Sequence, residues 1–211
     1  MLTLAKLGNT IFLGLGASNQ PLTKPFGWLK SLISISFFLV GSFTFSNMTR
    51  NYGPRRRRTI STSFFVQTIC LIIGAALVQS NYVPDPTGGS TVQEDGLFKE
   101  LIPLGFLAFG AGGQLAASRL LGFNEIPTVV LTSVYYDIAS DVKLTQGVKA
   151  NVKRNRRMGA VVSLLIGAIG GGWISRSDAG MPTVLWIAAG LKLFISIGWL
   201  FWKGEQPDEG K

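Results

Sequence analysis

The chain has 211 residues, 47% hydrophobic and 15% charged, with a formal net charge of +9 and no His. A water-facing domain of this size carries about 25% charged residues, so the composition excludes an ordinary soluble globule. One Cys, Cys70, and no His exclude a disulfide framework, a Cys/His metal cage and His-based general-base catalysis. No cofactor or metal is expected.

A membrane helix needs about 20 predominantly apolar residues to cross about 30 Å of hydrocarbon. The first apolar piece, Leu7 to Ala17, is too short for that. It reads as a half-helix or, alternatively, as part of a signal peptide over Met1 to Ser18 with Lys6 in its charged region. Full spans are predicted at Trp28–Asn47 and Ile60–Gln79, then at Leu101–Gly122. A second short piece, Thr128–Ala139, follows Pro127, and both short pieces suit re-entrant segments shielded by protein. Gly159–Ser175 is a slightly short, uncharged span, and Pro182–Trp202 is the last. None of the five carries the charged stripe of a soluble amphipathic helix. The prediction is an all-α polytopic membrane bundle: five full transmembrane helices plus broken half-helices, in one domain over residues 1–211. Trp28, Trp186, Trp199 and Trp202 are placed as interface anchors.

Lys and Arg set the orientation. One loop holds Arg50 and Arg55–Arg58; another holds Lys143, Lys149, Lys153, Arg154, Arg156 and Arg157. Between them Asn81–Glu100 carries Asp85, Glu94, Asp95 and Glu100 against Lys99 alone. Both basic loops are therefore expected in the cytoplasm, beside anionic lipid headgroups. The bilayer and those headgroups are the expected partners, with a small-molecule solute as a third. Nucleic acid is not, because no aromatic-interleaved basic surface accompanies the clusters.

Two halves, 1–80 and 99–203, read as an inverted repeat of three elements each. Ser36–Ser42 matches Val162–Ala168, and each half has a short broken piece upstream and a long span downstream. Inverted repeats with discontinuous helices point to a transporter-like site at the midplane; the competing reading is that membrane helices resemble one another in composition.

The block from Gln114 to Asp141, with Arg119-Leu-Leu-Gly-Phe-Asn-Glu-Ile-Pro127 inside it, resembles the YoaK family of integral membrane proteins, in particular its fungal branch. Gly8-Asn9-Thr10 and the following Ile11–Gly16 are similar to that family's first-half signature, usually Thr-Gly-Asn, with Leu7 in place of the Thr. The resemblance extends from Gly8 to about Trp202. It implies membrane residence and a six-helix architecture and brings no established substrate. It also implies an apolar helix ahead of the Gly-Asn turn. Here the sequence opens at Met1, so either the gene model is truncated or this member lacks half of a site. Fungal relatives encoded beside secondary-metabolite genes suggest an accessory role in such a pathway.

An ionisable group at the centre of a membrane helix costs about 2.5–3.5 kcal/mol by insertion scales, so each is a candidate for function. Lys192 lies mid-span in the last helix and Arg119 lies near the end of the third. The candidate site is one polar cavity lined by Asn9, Gln114, Arg119, Asp137 and Lys192. Plainer roles compete residue by residue. Arg119 could snorkel to lipid phosphate, Lys192 could pair with a carboxylate, and Asp137 and Asp141 could neutralise the basic loop. Gln67 and Gln114 could be interhelical hydrogen-bond glue. Gly167 with Gly171, and Ala108 with Gly112 and Ala116, are small-residue pairs suited to close helix packing. The readings that remain are a small-solute transporter or channel-like protein and a non-catalytic membrane accessory or scaffold. An intramembrane enzyme is disfavoured, because no span carries a nucleophile–base motif.

Overall fold

A long apolar segment in hydrocarbon can satisfy its backbone only internally, so each such run must become a helix. The computed structural model describes residues 4–17, 27–83, 94–123, 132–147 and 149–202. Among them the chain forms α1 (Leu4–Ala17), α2 (Gly27–Tyr52), α3 (Arg57–Gln79), α4 (Glu94–Leu120), α5 (Thr132–Ala139), α6 (Val152–Arg176) and α7 (Gly180–Phe201). The fold is all-α, and α2, α3, α4, α6 and α7 are long and apolar enough to cross a membrane.

Helix α1 has 14 residues, about 21 Å at 1.5 Å per residue, and stays short of a full crossing. The second short piece appears as the eight-residue α5; its beginning, Thr128 to Leu131, lies outside the described residues. Two expected boundaries shift. Helix α4 starts at Glu94 and carries Pro103 inside it. Helix α6 runs for 25 residues from Val152, so Lys153, Arg154, Arg156 and Arg157 occupy its first two turns and are not in a loop. The cause is local: Asn151 caps the helix by accepting the Arg154 backbone N–H at 3.0 Å. At the far end of α4, Gly122 (φ 82°) closes a Schellman turn. Its N–H donates to Arg119 O at 3.2 Å and that of Phe123 to Ser118 O at 3.0 Å.

Helix α2 packs on α4, α4 on α3, α3 on α7 and α7 on α6, with α1 against α2 and α5 against α6. The α2–α4 pair is parallel and close enough to need glycine on both sides. A Cβ on Gly41 would stand 2.3 Å from Phe109 O, and one on Gly112 would stand 2.5 Å from Phe38 O. Phe45, buried between them, meets the Phe109 ring at 5.3 Å between centroids. Helices α3 and α7 are antiparallel: Ser61 and Ser196 donate to each other's backbone oxygens at 2.8 Å, and Trp186 Nε1 donates to Gln79 Oε1 at 2.7 Å.

These directions gather the charges. Arg50, Arg57, Arg58, Arg119, Arg154, Arg156 and Arg157 fall at one end of the helices. The Lys30–Glu100 ion pair and Arg176 fall at the other. Trp186 and Trp199 lie toward opposite ends of α7, where amphipathic rings sit at headgroup level.

The two segments paired as a repeat have unlike surroundings. Gly41 is pressed against α4, whereas Gly167 has nothing within 4 Å of its would-be Cβ among the described residues. Helix α6 as a whole turns Val162, Leu165, Ile166, Ile169 and Trp173 outward.

Candidate functional site

The polar side chains of α3 fall on one face because they recur at helical spacing. Thr59, Ser63 and Gln67 are four apart, and all are buried. Gln67 is 0% exposed. Its amide N–H donates to Ser63 Oγ at 3.2 Å, which fixes the amide and aims its oxygen out of the helix. Helix α4 lies beside α3 at this level: a Cβ on Gly110 would stand in ordinary contact, 3.7 Å from Cys70 Cβ and 3.9 Å from Gln67 O.

Lys192 reaches this floor from α7. Its ammonium donates to Gln67 Oε1 and, at 2.9 Å, to Gln114 Oε1 from α4. The Phe64 ring centroid lies 5.9 Å from Nζ, at the outer limit of a cation–π contact. The three helices thus converge on one ammonium. Lys192 is half-buried and Gln114 exposed, so the cluster rims a groove between α4 and α7 with α3 as its base. Helices α4 and α7 do not pack on each other. Among the described residues no carboxylate pairs with Lys192: two neutral amide oxygens hold it.

The other candidates lie elsewhere. Asp137 and Asp141 face Arg157, at 3.4 and 3.9 Å. They belong to the α5–α6 junction, beside the basic first turns of α6. Asp141 also accepts from Asn151 Nδ2 and from the Lys143 backbone N–H, both at 2.8 Å. Those hydrogen bonds, with Arg157 and Arg154 nearby, hold its carboxyl below the ordinary Asp value. Arg154 completes the junction: it is buried, and its guanidinium donates to Leu144 O and, at 2.7 Å, to Gln146 O. Arg119 sits in the last turn of α4, where a cation complements the helix dipole. Asn9 lies half-buried in α1, a helix that packs on α2. Of the five residues named from the sequence, Gln114 and Lys192 come together; Asn9, Arg119 and Asp137 stand apart from that pair. Gln67 was assigned only to packing, although the Thr59–Ser63–Gln67 spacing marks a polar face inside an apolar span.

The family described as Protein of unknown function (DUF1275) matches residues 6–198. The chain belongs to this family. YoaK-like is a name of the same family, so the resemblance carried by Gly8–Thr10 and the Gln114–Asp141 block holds at family level. The DUF1275 match takes in Gln67, Gln114 and Lys192 together. No curated protein and no solved structure matches the chain.

Proposed function

We propose that this DUF1275 protein is a non-enzymatic, small-solute transporter or channel-like protein, with the Gln67–Gln114–Lys192 cluster as its intramembrane binding site. The observation that carries the reading is the Lys192 ammonium, mid-span and held by two neutral amide oxygens with no carboxylate partner among the described residues. Such a charge costs about 2.5–3.5 kcal/mol at the centre of a membrane helix. A purely structural role would be served as well by an apolar side chain of similar length. The groove between α4 and α7 gives a solute a way to reach the charge. The short α1 and α5, if they correspond as broken elements of an inverted repeat, would supply the discontinuities common at such sites.

The test is flux in proteoliposomes and uptake in cells, comparing wild type with Lys192→Leu and Asp137→Asn. Loss of flux in folded Lys192→Leu with flux intact in Asp137→Asn supports the site. Wild-type behaviour of Lys192→Leu refutes it.

A second reading, a non-catalytic accessory or scaffold protein of a biosynthetic pathway, is favoured by α6, whose outward apolar surface suits a lateral partner. A deletion strain separates the two. An exporter's loss retains product inside the cell, whereas a scaffold's loss lowers total product. In either case the basic end is suited to anionic headgroups, about 1 kcal/mol for each Lys or Arg near the surface.

A further inference from the structure

We infer that the Lys192 cluster selects a monoanion, a carboxylate or a halide, and rejects cations; this deepens the transport reading and rests on the same site. The argument is an inventory of donors and acceptors. Lys192 brings three N–H donors and one positive charge. Two donors go to Gln67 Oε1 and Gln114 Oε1, which leaves one without a partner among the described residues. The Gln67 amide nitrogen gives one of its two protons to Ser63. The Gln114 amide nitrogen has no partner among the described residues, and that side chain is exposed at the rim of the groove. Both amide oxygens already face an ammonium.

A ligand entering between α4 and α7 therefore meets N–H groups around an uncompensated positive charge. A cation would meet repulsion, and the nearest oxygens are engaged by Lys192. An anion accepts the free ammonium proton and one Gln114 amide proton together, and it neutralises the charge in a medium that screens poorly. The buried Gln67 makes the site rigid: it is fixed from below by Ser63 and has no room to swing away. One charge is offered, so one charge is the match; a dianion would bring a second negative charge into hydrocarbon without a partner.

The same carboxylate chemistry is available from water or from an amphiphile in the bilayer, and the experiment separates the sources. Purified full-length protein is titrated with sodium acetate, sodium chloride and sodium oleate, with choline chloride against sodium chloride as the cation arm, and thermal unfolding is the readout. A saturable rise in midpoint is expected for wild type with acetate or oleate. It should be absent in Lys192→Gln and restored in Lys192→Arg. Loss of the single Gln114 hydrogen bond in Gln114→Leu should weaken binding about fivefold. A response to acetate or chloride alone assigns entry from water; a response to oleate alone assigns entry from the bilayer. Either supports the anion site.

A response of equal size in Lys192→Gln overturns the inference, as does a cation response or no anion response in wild type. Should Lys192→Gln fail to fold, Gln114→Leu decides, since an unchanged acetate and oleate response there also overturns it. Lys192-dependent binding without flux in proteoliposomes sinks the transport reading and leaves the anion site standing. Flux of a neutral solute without any anion response does the reverse.

Discussion

Replacing Gly41 by Ala puts a methyl group 2.3 Å from the Phe109 carbonyl oxygen and 2.9 Å from its carbon. An unstrained contact needs 3.4 Å or more, so α2 and α4 must part by about 1 Å at their closest point. The obstacle is backbone, which cannot rotate aside as a side-chain tip can. Overpacking of this kind costs about 1–3 kcal/mol, and the upper part of that range applies here. Against it stands the gain of about 1 kcal/mol when Ala replaces Gly in a helix. The net expectation is about 1–2 kcal/mol of destabilisation, or about 2–8 °C in melting midpoint for a chain of this size. Gly167→Ala is the internal control. It faces open space among the described residues, retains the propensity gain, and should leave the midpoint unchanged or slightly raised. Thermal unfolding of the three proteins in one detergent measures both. If Gly41→Ala is as stable as Gly167→Ala, the α2–α4 interface is not packed as described and the reasoning fails.

Other substitutions test the remaining contacts. Gly112→Ala, with Phe38 O at 2.5 Å and Ser42 N at 2.6 Å, should destabilise about as much as Gly41→Ala. The two together should cost less than the sum, because one separation of the helices relieves both. Asn151→Ala removes the cap of α6 and should cost about 0.5–2 kcal/mol, seen as faster amide exchange at Val152–Arg154. The Asp141 carboxyl titrates below its unfolded value, which is about 3.9. Its contribution is therefore fully present above that pH and is lost as pH falls through the lower folded value. Protease resistance of the 140–151 segment should persist in weak acid and fail below that range, and Asp141→Asn should be weaker at neutral pH with no acid-dependent step. Trp186→Phe loses one exposed hydrogen bond to Gln79 and should shift stability by no more than about 1 kcal/mol.

The spans were legible because twenty apolar residues in a row admit few alternatives, and hydropathy alone found α2, α3, α4, α6 and α7. The start of α6 was not. Lys153 to Arg157 look like loop chemistry, and only the Asn151 cap and the carbonyls gathered by Arg154 show that they wind into helix. For the site, Lys192 and Gln114 announced themselves as polar residues at membrane depth. The role of Gln67 did not, because its partner lies 125 residues away in sequence and helix periodicity names a face without naming what it meets. Asp137, grouped with Lys192 from the sequence, meets Arg157 instead, 20 residues along the chain.

The parallel pairing of α2 with α4 has a consequence for how the chain is made. Two neighbouring parallel helices require a third to be threaded back between them in time, and here that is α3. The Gly41 surface of α2 is met by residues about 70 positions downstream. At about 5–20 residues per second of synthesis, α2 waits in the lipid for several seconds with Gly41 and Phe45 uncovered by α4. Biogenesis of this protein must therefore tolerate, or chaperone, a helix whose partner has not yet been translated.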